Sequence, residues 1–165
     1  MRAPSAILLL ALAASAGARG SVLFGGGGWA AIDRGGVCEA LSRSAKIAPK
    51  GKVQASAGFA FTPDHKRWGE FHARLSRVSR AASSVILHIG EQPFLLVSRE
   101  HWAWSRGPAQ EQAIIDAARL GGHMSVEARD QAGVRFVDPY VLAGAPTAID
   151  AAAARCALRG AGKIP

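Results

Sequence analysis

Two thiols, five imidazoles, scattered carboxylates, a Trp-x-Trp pair and a run of arginines are the side chains of this 165-residue sequence that could carry chemistry. The thiols are Cys38 and Cys156. A cysteine works as a nucleophile or redox centre through its thiolate, which needs a neighbouring cation or a second Cys to lower its pKa. Neither cysteine has a His or Lys beside it, and no C-x-x-C occurs. In an oxidising compartment an isolated pair reads as one disulfide, here joining the two ends of the chain.

The imidazoles are His65, His72, His88, His101 and His123. None falls in an H-x-x-x-H, H-E-x-x-H or mixed Cys/His pattern, so the ligand spacing that zinc wants is missing. His72 and His88 could meet across a hairpin, but two ligands make a weak site, and no metal or other cofactor is expected. Asp33, Asp64, Glu70, Glu100, Asp116 and Asp138 are dispersed. Any two could converge as an acid/base pair, which is a tertiary property. No G-x-S-x-G marks a nucleophile, so no catalytic residue is assigned. Gly25 to Gly28 suggest a phosphate loop, but such a loop needs a following Lys and hydroxyl. These glycines run instead into Trp29-Ala30-Ala31-Ile32-Asp33. They read as part of a flexible lead over residues 19–28.

Two segments have the character of contact surfaces. In "HWAWSRG", Trp102 and Trp104 lie two apart and point the same way from an extended strand. The expectation is core, because large apolar side chains dominate core energetics; exposed, they would stack on sugar rings or sit at a lipid interface. Arg99 and Arg106 flank them. In "RLSRVSR", Arg74, Arg77 and Arg80 fall close together toward a hairpin tip. They would either contact an anion or serve as a solvated turn that guards against edge pairing.

The compartment follows from the start of the chain. "MRAPSAILLLALAASAGARG" has a basic Arg2, an apolar run from Ala6 to Ala14, and A-x-A steps ending at Ala16 and Ala18. That order is a cleavable secretory signal over residues 1–18. The apolar run is shorter than the roughly 20 residues that span a bilayer. No Cys follows it to take a lipid anchor. A periplasmic or secreted protein is expected, without a transmembrane segment in the mature chain. A net charge of +8 suits anionic envelope components as partners, or an envelope protein, rather than nucleic acid.

The elements that must position these residues are mostly strands. Trp29–Ile32, Val37–Leu41 and Val53–Phe61 read as strands. Phe71, Ala73 and Leu75 alternate with polar residues, as a half-buried strand does. A hairpin turning at Ala81 and Ala82 would set Leu75 against Leu87, Ala73 against Ile89 and Arg74 against His88. A return through Glu91 and Gln92 would set Phe94 beside Ile89 and Leu96 beside Leu87. The period changes at "PAQEQAIIDAARLGG": Pro108 opens a helix, Glu111 lies in its first turn and Gly121 follows its end. Met124, Val126 and Ala128 alternate in a further strand, and Val134–Val137 in another, which Asp138-Pro139 breaks. A last helix runs from about Pro146 to Arg159, with Ile149, Ala153 and Cys156 on one face. The expectation is one mainly β domain over 29–160: a β-sandwich of antiparallel strands with two flanking helices, around 108–120 and 146–159.

The segments "EQPFLLVSREHWAW", "AIIDAARLGGHMSVEARDQAGVRFVDPY" and "VLAGAPTAIDAAAARCA", with Trp29 and Cys38 ahead of them, resemble the invasion-associated locus B family of exported bacterial proteins. The resemblance implies a non-enzymatic envelope β-sandwich with a role in surface stability or host-cell contact. It brings no catalytic residues. An envelope hydrolase with an unmarked acid/base pair, and a carbohydrate- or lipid-binding module using Trp102 and Trp104, are the alternatives.

Overall fold

Alternating burial builds this molecule. In a computed structural model, which describes residues 20–162, ten short segments are extended and two are helical. The strands are β1 (Ser21–Gly26), β2 (Trp29–Asp33), β3 (Cys38–Arg43), β4 (Ser56–Phe61) and β5 (Trp68–Arg74), then β6 (Val85–Ile89), β7 (Gln92–Arg99) and β8 (Trp102–Trp104). Helix α1 (Pro108–Leu120), β9 (His123–Arg129), β10 (Arg135–Val141) and α2 (Ala145–Ala161) complete it. All strand pairs are antiparallel, in one sheet of order β1-β2-β3-β4-β5-β8-β7-β6-β9-β10. The mainly β fold with two helices is thus as expected. The strands form one continuous sheet, whose two halves are joined through β7. The first part of that strand pairs with β6 and the last part with β8.

The inner face is apolar. Trp29, Ala31, Cys38, Phe59, Phe71 and Ala73 from one half share a core with Leu87, Met124, Val126 and Tyr140 from the other. The halves meet at β10. The Pro139 carbonyl accepts from the Ala45 amide at 2.8 Å and the Ser44 hydroxyl at 2.9 Å. The Val141 carbonyl accepts from the Trp29 indole at 2.8 Å, and the buried Asp138 carboxylate from the Ser76 amide at 2.9 Å. Helix α1 packs on β5, and α2 on β2 and β3. The Cys38–Cys156 disulfide ties α2 to the sheet.

Several expectations are corrected. Residues 21–26 of the glycine-rich lead are a strand, and Gly27 and Gly28 are its hairpin turn, with φ of +59° and +86°. Two successive positive φ values match the twist of the flanking strands, and glycine adopts them without penalty. Strand β5 does not pair with β6. Ala73 faces Ala103 and Arg74 faces Trp102, because β7 and β8 form a tight hairpin through Glu100 and His101 that enters between them. In the β6–β7 hairpin Leu87 faces Phe94 and Val85 faces Leu96, since the turn is Gly90-Glu91, with Gly90 at φ +57°. Strand β10 runs unbroken through Asp138-Pro139. It is an edge strand, and Pro139 turns its carbonyl, and hence its missing N–H, away from β9. The signal over residues 1–18 lies outside the described residues.

Candidate functional site

Strand β8 is three residues long and sits between β5 and β7. Ala103 points inward and is fully buried, so Trp102 and Trp104 point outward. Trp102 is 41% exposed and Trp104 half-buried. Their rings lie 6.4 Å apart, 16° from parallel. The expectation of a core position is therefore overturned. The inner side of β8 is occupied by Ala103, which lies in the apolar core, and the i, i+2 spacing carries both indoles to the other side.

Register defines their surroundings. Arg74 of β5 and Arg99 of β7 are the cross-strand neighbours of Trp102; His72 and Val97 are those of Trp104. Leu95 and Val97 are 40% and 51% exposed on the same face. Extending the register, one row reads Arg43, Ser56, Arg74, Trp102, Arg99 across β3, β4, β5, β8 and β7. The next reads Leu41, Gly58, His72, Trp104, Val97. A cleft of about 820 Å³ opens at the β3 end of these rows, lined by Ala30, Ile32, Leu41, Arg43 and Ser56 among others.

No known protein family, characterised protein or solved structure matches this chain.

The arginines divide into two classes. Arg34, Arg67, Arg77, Arg119, Arg135, Arg155 and Arg159 each pair with a carboxylate. Among the described residues, Arg43, Arg74, Arg80, Arg99, Arg106 and Arg129 do not, and all six are exposed; Arg43, Arg74 and Arg99 are the three that share a register row with Trp102. The expected grouping of Arg74, Arg77 and Arg80 dissolves. Arg77 binds Asp130 at 2.9 Å and lies over Phe136, and the Arg80 amide bonds the Arg129 carbonyl. The segment is a loop pinned to β9–β10 rather than a hairpin tip. Arg74 alone joins the indole face.

The other candidates have structural partners. His72 and His88 do not meet, because β8 and β7 separate their strands. His72 is buried over Gly58, its Nε2 3.7 Å from Glu39. Burial pushes its pKa down, opposed by the Glu39 charge, so the ring is held toward the neutral form. His65 stacks on Trp68, and His101 Nδ1 lies 3.1 Å from the Leu75 carbonyl. Among the described residues no three His, Cys, Asp or Glu side chains converge as a metal site. Glu111, in the first turn of α1, is buried. Burial raises its pKa, the Ser105 hydroxyl at 3.2 Å lowers it, and the Glu70 charge raises it further; the net shift is upward.

Asp33 is fully committed. Its carboxylate receives Arg155 Nε at 2.6 Å, Arg159 Nη2 at 2.8 Å and the Gly35 amide at 2.8 Å. Burial raises its pKa, but the Arg155 hydrogen bond, the Gly35 amide and the two guanidinium charges outweigh it and hold the carboxyl below the usual aspartate value. Asp33 is also the register partner of Cys38. Salt clamp and disulfide thus fix the same end of α2. Sequence reading found the thiols and the indoles. It missed Arg43 as a site residue, because only strand register brings it into line.

Proposed function

We propose that this is an exported envelope protein of the invasion-associated locus B type, which acts by binding through its indole face rather than by catalysis. The supporting observation is the nearly parallel pair of exposed Trp102 and half-buried Trp104 on the outer face, with Trp102 between Arg74 and Arg99, neither of which has a carboxylate partner. Apolar ring surface left in water beside Leu95 and Val97 forms a patch that a partner would cover. The oxidised Cys38–Cys156 pair fits an oxidising compartment, and the positive balance fits an anionic envelope. Envelope support and host-cell contact are both served by such a face.

The test is fractionation of the full chain expressed in a Gram-negative host. The protein should be recovered from the periplasm or medium with both thiols blocked to alkylation, and it should be retained by washed envelopes. Trp102→Ala/Trp104→Ala should release it while leaving its melting temperature nearly unchanged. Cytoplasmic recovery with free thiols, or retention that ignores both indoles, would remove the proposal.

A further inference from the structure

The row Arg43–Ser56–Arg74–Trp102–Arg99 places a cation on every second strand. Adjacent strands are about 4.8 Å apart, so successive guanidinium stems stand about 10 Å apart and the row spans about 19 Å. That spacing is near one Debye length at physiological salt. Three aligned cations without carboxylate partners are therefore mildly self-repelling and well placed to bind a polyanion. A single phosphate or headgroup would engage one of them. Engaging all three takes an extended chain with charges repeated along it.

Two further features define that chain. Trp102 stands midway between Arg74 and Arg99, and Trp104 beside it lies nearly parallel. Indole faces take up the apolar faces of sugar rings. The cleft then continues the row beyond Arg43, with Leu41, Ala30 and Ile32 as an apolar floor. From the alternation of charge and ring along this line we infer that the face binds an acidic polysaccharide. Its carboxylates or phosphates recur about once per disaccharide, and it lies across the strands from Arg99 over Trp102 to the cleft. The inference rests on the binding role given above to the indole face and adds the ligand class. A membrane surface is the less suitable occupant, because the charges form one line across a sheet and the indoles lie within that line.

The experiment uses the full-length oxidised protein on an array of oligosaccharides in matched neutral, carboxylated and phosphorylated forms. Vesicles of phosphatidylglycerol and phosphatidylcholine, and single-stranded DNA, are run alongside. Retention should be confined to the acidic saccharides and fall steeply as salt is raised. Arg74→Ala/Arg99→Ala and Trp102→Ala should each weaken it by about ten-fold or more. A variant with the same charge loss elsewhere, Arg129→Ala/Arg135→Ala, should weaken it far less. Equal retention of neutral and acidic saccharides that still needs the indoles would overturn the acidic class and leave the binding face standing. Preference for vesicles or DNA would overturn the polysaccharide in the same way. Retention unchanged by every variant on the row would overturn both readings.

Discussion

At the scale of the residue, the most constrained polar group is Asp33. It is almost wholly out of water, and its three donors satisfy it. Removing one partner of a buried ion pair costs about 3–5 kcal/mol when the other is left buried and uncompensated. Arg155 and Arg159 are 43% and 35% exposed, so water would recover part of that. Asp33→Asn should cost about 2–3 kcal/mol in urea denaturation at neutral pH. The folded pKa lies below the ordinary 3.8. The contribution of Asp33 is therefore fully present above the unfolded value and is lost as pH falls through the lower folded value. The gap in stability between wild type and Asp33→Asn should close over that acid range. A gap that stays constant would mean the carboxylate is not what the clamp depends on.

At the scale of the element, helix α1 was legible to the residue, because Pro108 and Gly121 punctuate it and its apolar period is local. Strand β9 was legible from the alternation of Met124, Val126 and Ala128. Pairing was not. Ala73 and Leu75 alternate as well opposite β8 as opposite β6, and which one wins depends on a hairpin thirty residues on. The break assigned to Pro139 failed for a related reason: only the final sheet order shows that β10 is an edge. The indole site was half legible, since the i, i+2 spacing gave a common direction but not which side was wet. The glycine run shows what a hairpin turn can hide. An added Cβ at Gly27 would strike the Ala143 carbonyl, whereas one at Gly28 would meet nothing, although both have positive φ. Gly28→Ala should therefore cost about 1–2 kcal/mol of backbone strain alone. Gly27→Ala should cost distinctly more, because the strand-to-helix corner must also move. Thermal melts of the two variants compare them directly, and equal losses would show that the corner gives way freely.

At the scale of the whole molecule, one continuous sheet wraps a single core, and one covalent link joins its third strand to its last helix. The link closes a loop of 118 residues. On the chain-entropy account, removing it frees the unfolded state by about 4–5 kcal/mol. Cys38→Ser/Cys156→Ser should lower the denaturation midpoint accordingly without altering the transition's cooperativity. A midpoint unchanged in the double variant would mean that the Asp33 clamp alone seats α2. Trp102, Arg74 and Arg99 should hardly notice, because they stand on β5, β7 and β8 while the disulfide is anchored on β3.

The disulfide has one more consequence. With a single cystine there is no scrambled isomer to escape from. Each thiol that fails to find its mate can only bond to a different molecule. Cys38 is synthesised long before Cys156, so its thiol waits without its mate while the remaining sequence emerges. Crowding or slow folding in that interval should appear as covalent dimers on a non-reducing gel, and a chain that folds promptly should leave none.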